Sequence, residues 1–212
     1  MTRKQTSHTP ASTKIAAFSM LAILVLGLIY FLSVAFGNKT TLPVLGEPGH
    51  VAGAFSFINQ DGKQVTEKSV RNKVTVVEYF FTSCPSICPV MNGNLKDVYE
   101  KFKTNPDFMI LSHTVDPERD SVAILKKYSR RFDAESPGWH FLTGSKDSLY
   151  QSASKDYLLA VEDSSNSNFI HTQYVALLDK KRQIRGFYDF TNKENVGKMD
   201  EAIQQLLKED DH

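Results

Sequence analysis

The chain has 212 residues, with 25 Lys and Arg against 24 Asp and Glu, for a formal net charge of +1. That balance excludes the basic footprint a nucleic-acid-binding surface needs, and the short runs Lys126-Lys127 and Lys180-Lys181-Arg182 read as solvated faces. The length suits one globular domain with an adequate core, once a single anchor-like segment is set aside.

Residues 1–14 form a polar tail. Residues 15–36 (IAAFSMLAILVLGLIYFLSVAF) carry no charge. A bilayer needs about 20 such residues, whereas the apolar part of a cleaved signal runs to about 7–15, so the segment reads as an uncleaved transmembrane anchor. Arg3, Lys4 and Lys14 precede it and Lys39 follows, which places the N-terminus in the cytoplasm. The body would then lie outside the cytoplasmic membrane, in the periplasm where the cell has one. Residues 37–53, with several Gly and Pro, read as a tether.

From residue 54 to 208 the pattern is that of a domain. Residues 54–65 read as a hairpin turning at Asp61-Gly62. Residues 74–81 (VTVVEYFF) read as a buried strand, 89–103 as a helix with Leu95, Val98, Tyr99 and Phe102 on one face, and 108–115 as a second buried strand. A helix over 121–132, a short strand over 139–142 and a helix over 145–159 capped by Ser145 follow. After the polar loop 164–168 come a hairpin, 173–178 with 184–190, and a helix over 193–207. Residues 209–212 are an acidic tail. The order predicts an α/β fold, a mixed sheet with helices on both faces.

Cys84 and Cys88 are the two cysteines, in the segment Cys84-Pro85-Ser86-Ile87-Cys88-Pro89 at the end of the first buried strand. Ligands bind at the carboxyl ends of strands in open α/β sheets. Pro89 suits the first helical position, which makes Cys88 the expected cap. A helix start lowers a thiol's pKa, and the thiolate is the form that attacks disulfides and binds soft metals. The spacing admits a disulfide or a clamp on one metal ion and does not choose between them. Thioredoxin-type exchangers present a proline opposite their cysteine pair, but no proline follows Pro137 here. His171 stands at the corresponding point, ahead of the strand over 173–178. Two thiolates and an imidazole form a soft set suited to copper, and three ligands leave zinc one short of its usual four.

The segments TSCPSICP and VDPERDS with its following ILKKY, the Leu142-Thr143-Gly144 after Trp139, and the late His171 together resemble the SCO/SenC proteins. The resemblance covers about residues 54–207. It implies a thioredoxin-like, membrane-tethered copper protein that assists assembly of the dicopper centre of cytochrome c oxidase. It further implies Cys84, Cys88 and His171 as copper ligands, the copper-bearing oxidase subunit as acceptor, and a copper donor or thiol reductant as a further partner. Ser86 departs from the pattern, since the family often carries an acidic residue there. Thiol–disulfide reduction of the oxidase's own copper-ligand cysteines is the alternative activity.

Other candidates have plainer readings. Asp116 ends the second core strand and could orient a ligand from behind, or serve as a turn residue before Pro117. Arg119 and Asp120 read as a surface pair, Met91 as core filler, and His113 and His140 as core or rim histidines. His50 in the tether and His212 in the tail are expected to be exposed, and His8 falls on the cytoplasmic side of the anchor.

Overall fold

The computed structural model describes residues 11–35, 41–159 and 172–209. Two units are defined, Met1–Thr41 and Leu42–His212. The first contains helix α1 (Ala11–Ala35), whose apolar side chains over residues 20–32 are exposed. Among the described residues no helix is long and apolar enough to cross a membrane. The expected span over 15–36 runs past the described residues at its C-terminal end.

The second unit is built on one sheet. Its strands are β1 (Ser56–Asn59), β2 (Gln64–Thr66), β3 (Val74–Phe80), β4 (Phe108–Thr114), β5 (Trp139–Thr143), β6 (Tyr174–Leu178) and β7 (Ile184–Asp189). They lie in the order β2-β1-β5-β4-β3-β6-β7. β3 pairs in parallel with β4, and β4 with β5, while the remaining neighbours are antiparallel. Every residue of β3 and β4 is buried. This is why both read in the sequence as continuous apolar runs rather than alternations: parallel strands in the middle of a sheet are covered on both faces.

Strand alternation divides the interior in two. Val74, Val76 and Phe80 of β3 face a core that includes Met91, Leu95, Val98 and Phe102 of helix α2 (Ile87–Phe102) and Val196, Met199, Ile203 and Leu206 of helix α5 (Lys193–Lys208). Val77 and Tyr79 face the other core, with Phe57, Leu142, Leu149 and Tyr157. At about 1.5–3 kcal/mol per buried large apolar side chain, these two layers supply the main stabilisation. The hairpin turn falls as expected, with Gly62 at φ 73°, a conformation glycine enters without steric cost.

Two helices are shorter than the sequence pattern suggests. Helix α3 (Val122–Ser129) tightens into a 3-10 turn over Arg130–Phe132 and stops at Asp133 in the left-handed region, φ 53°. Helix α4 (Lys146–Gln151), capped by the Ser145 hydroxyl accepting from the Ser148 amide, widens into a π turn over Ser152–Asp156. The wider turn seats Ala153 and Tyr157 in the second core.

Residues 42–53, a Pro- and Gly-containing stretch, lie on the unit. The Leu45 amide bonds the Ile184 carbonyl, and the Arg185 guanidinium donates to the carbonyls of Leu42 and Pro43. This covers part of the β7 edge, whose free hydrogen-bonding groups would otherwise invite pairing with another chain.

Candidate metal centre

β3 ends at Phe80 and the chain turns immediately, with the Cys84 amide donating to the Phe81 carbonyl at 3.2 Å. Helix α2 begins at Ile87 with Ser86 as its N-cap. Cys88 is therefore not the cap but lies in the first helical turn, and Pro89 follows inside it. A proline is accommodated there because amides of the first turn have no intrahelical acceptor to lose. The shift of two residues puts the helix start directly over Cys84.

Both sulfurs are free thiols, buried at 8% and 3% exposure for Cys84 and Cys88. Their environments pull them in opposite directions. Burial pushes the Cys84 thiol up, but hydrogen bonds from the backbone of Cys88, Ser86 and Ile87 and from the Cys88 thiol outweigh it and bring it below its ordinary value. Orphan amides and the positive end of α2 thus favour a thiolate at Cys84. Cys88 is pushed well up, first by burial and also by Cys84 and the nearby Glu78. One sulfur is held ready to carry charge, and its neighbour to carry a proton.

Glu78 is a member of the site that sequence reading passed over. It lies on β3, fully buried, and alternation from Val76 and Phe80 turns it toward the cysteine side of the sheet. Trp139 Nε1 donates to Ser112 Oγ at 2.8 Å, and Ser112 Oγ donates to Glu78 Oε1. Oε2 has no hydrogen-bond partner among the described residues. Burial raises this carboxyl to about 8, against the opposing pull of the Ser112 hydrogen bond. A single charged letter inside VTVVEYFF was the available signal, since a strand buried on both faces has no solvated side for a carboxylate.

His171 lies outside the described residues. Among the described residues no group of three or more His, Cys, Asp or Glu could hold a metal ion. The sulfur pair fits part of a copper site, because the two sulfurs are within hydrogen-bonding reach of each other and one is disposed to ionise.

Asp116 is buried just past β4, with its carboxylate 3.7 Å from the Arg119 guanidinium. The expected Arg119–Asp120 surface pair is not formed. Asp120 is 1% exposed and its carboxylate accepts from Thr82 and Thr114, so Arg119 turns to Asp116 instead. Met91 is fully buried core. His113 is walled by the rings of Tyr79, Phe57 and Tyr157, and burial holds it down to about 3. His140 bonds Asn59, and burial lowers it to about 4. His50 is half-buried rather than exposed, with Nε2 at 2.9 Å from the Asp156 carbonyl. His8 and His212 lie outside the described residues.

A mixed seven-stranded sheet flanked by helices, with a cysteine pair at the carboxyl end of a central strand, defines a thioredoxin-like α/β domain. The SCO1/SenC family model matches residues 44–208, and the chain belongs to that family. It is 34% identical over 138 residues to the SCO1 protein homolog of Bacillus subtilis, covering 64% of this chain and 70% of that one. The solved structure of BsSco, described as a Sco-family cytochrome c oxidase assembly protein with a disulfide switch, superposes with a TM-score of 0.66 at 26% identity. That match covers 79% of this chain and 99% of the other. Arabidopsis thaliana ScoI, solved with copper bound, superposes at 0.58 with 30% identity, covering 73% and 99%.

Proposed function

We propose that this protein is a membrane-anchored copper carrier that delivers copper to the copper-bearing subunit of cytochrome c oxidase during its assembly, outside the cytoplasm. Cys84, Cys88 and His171 would hold the ion, with the uncharged run 15–36 as the anchor and the N-terminus cytoplasmic. Asp116, at the same end of the sheet, would act as an acceptor orienting a ligand. The observation that carries the reading is the cysteine loop, two buried free thiols where β3 ends and α2 begins, with the helix start holding Cys84 below its ordinary pKa. A sulfur so supported gives up its proton readily to a soft cation. Family membership and the copper bound in the Arabidopsis relative support copper as the cargo. Release would proceed by exchange, acceptor ligands replacing the carrier's own one at a time.

Titration of the purified protein with copper, followed by absorption, tests this. One ion per chain is expected, with affinity reduced at least about a hundredfold in Cys84→Ser and Cys88→Ser, each of which removes one of few ligands. Unchanged stoichiometry and affinity in His171→Ala would remove His171 from the site.

The opposite displacement of the two thiols favours a second reading, a thiol–disulfide reductase that keeps the oxidase's copper-ligand cysteines reduced. The Cys84 thiolate would attack a substrate disulfide, forming a mixed disulfide and releasing one substrate thiolate. Cys88, on losing its proton, would then attack the Cys84 sulfur, closing the Cys84–Cys88 disulfide and releasing the second thiolate. A Cys88→Ser variant should accumulate the mixed disulfide. Absence of any trapped partner speaks against this activity.

A further inference from the structure

Asp120 directly precedes Ser121, the N-cap of α3, where an aspartate would ordinarily hold the first amides of the helix. Its carboxylate does something else. The Thr82 amide donates to Oδ2 at 3.1 Å, the Thr82 hydroxyl to Oδ1, and the Thr114 hydroxyl to Oδ2 at 2.5 Å. Thr82 stands two residues before Cys84, and Thr114 is the last residue of β4. The Asp120 amide in turn bonds the Asp116 carbonyl at 2.9 Å, and the Thr114 hydroxyl oxygen accepts from the Asp116 amide at 3.0 Å. A carboxylate 1% exposed therefore ties the start of the cysteine loop to the end of the neighbouring strand. Together with the bond from the Cys84 amide to the Phe81 carbonyl, it constrains both sides of the turn that carries Cys84 away from the sheet.

We infer that Asp120 is a positioning residue for the copper-binding loop, its carboxylate setting the direction in which the chain leaves β3 and hence where the Cys84 sulfur stands. The inference rests on the copper-carrier reading above. Three donors converge on one buried carboxylate, the two hydroxyl bonds being short, so the geometry they impose is stiff. No copper ligand is removed when Asp120 is changed. The effect on the metal is exerted through Thr82 and the backbone alone.

Asp120→Asn keeps the volume but puts an NH2 group where one of the accepting oxygens stands. Two measurements on the full-length protein decide the matter. In the copper-free protein, amide hydrogen exchange at residues 82–84 should accelerate about tenfold relative to the amides of β3, the loss expected for one charge-assisted bond. In the copper-loaded protein, release to a competing chelator should accelerate by a similar factor. A purely structural role would speed exchange across the sheet together and leave copper release unmoved. Either unmoved release with a loosened loop, or an unloosened loop, overturns the inference. Should Asp120→Asn not fold, Thr82→Val removes one donor and must move both readings in the same direction, with Thr82→Ser, which keeps the hydroxyl, moving them less. Equal effects of the two Thr82 variants count against the clamp. If the unaltered protein binds no copper, the carrier reading falls, while hydrogen exchange still reports whether Asp120 holds the loop.

Discussion

The two faces of the sheet each bury an ionisable side chain one strand apart. Glu78 and His113 lie on β3 and β4, in register with Ser112 and Tyr79 respectively, and each is fully buried. Their surroundings differ. His113 sits among rings, stacked on Tyr79 at 5.0 Å between centroids and edge-on to Phe57 at 5.3 Å. Glu78 is wired into polar groups, through Ser112 to Trp139, and its charge acts on Cys88. Burial of a titratable group does not by itself mark a working site. What separates the two faces is whether the group acts on chemistry that could change state, and only the cysteine face has such chemistry among the described residues.

The sharpest way to test this contrast is pH. Glu78 is raised from an ordinary 4.5 to about 8, so the folded state holds its proton more tightly than the unfolded chain. Its share of stability is complete below about pH 4.5 and is lost as pH rises through 8, by an amount on the order of a few kcal/mol. Glu78→Gln should flatten that decline, between about pH 4.5 and 8, in denaturant midpoints measured across pH. A decline that persists in the variant would mean Glu78 is not its source. His113 has the opposite sign. Held down to about 3 from 6.5, it resists protonation when folded, so stability is present above 6.5 and is lost as pH falls toward 3. His113→Phe should remove a comparable share of the acid decline, leaving a smaller one from His140, and should leave copper titration unchanged. A shift in copper affinity would break the division between the faces.

Smaller effects refine the cysteine side. Iodoacetamide with mass spectrometry should show Cys84 alkylated at least about tenfold faster than Cys88, following the thiolate fractions implied by their opposite displacements. Equal rates would mean that the start of α2 does not discriminate between them. The Tyr128 hydroxyl is buried on the same face without a hydrogen-bond partner among the described residues. Tyr128→Phe should alter thermal stability by no more than about 1 kcal/mol. A loss well beyond that would reveal a partner for the hydroxyl.

Much of this domain was legible in the residues. The apolar runs of β3 and β4, the Asp61-Gly62 turn and the Ser145 cap follow from rules that act within a few residues, and each stands where those rules place it. The cysteine loop was likewise visible from two prolines, two cysteines and a preceding strand. The start of α2 was misplaced by two residues, because proline is permitted throughout the first helical turn and not at one position alone. That small error mattered, since it decides which sulfur receives the helix's free amides.

Strand order, the facing of Glu78 and the errand of Asp120 could not be read from local pattern. Asp120 looked like the partner of its neighbour Arg119, yet its donors come from Thr114 and from Thr82, far back in the chain. The sequence on its own determined which segments become strands and helices and where the two thiols fall between them, because those depend on neighbours along the backbone. Only the tertiary structure decided which buried charge meets which donor, because parallel pairing of β3 with β4 brings together residues whose separation along the chain encodes nothing about their contact.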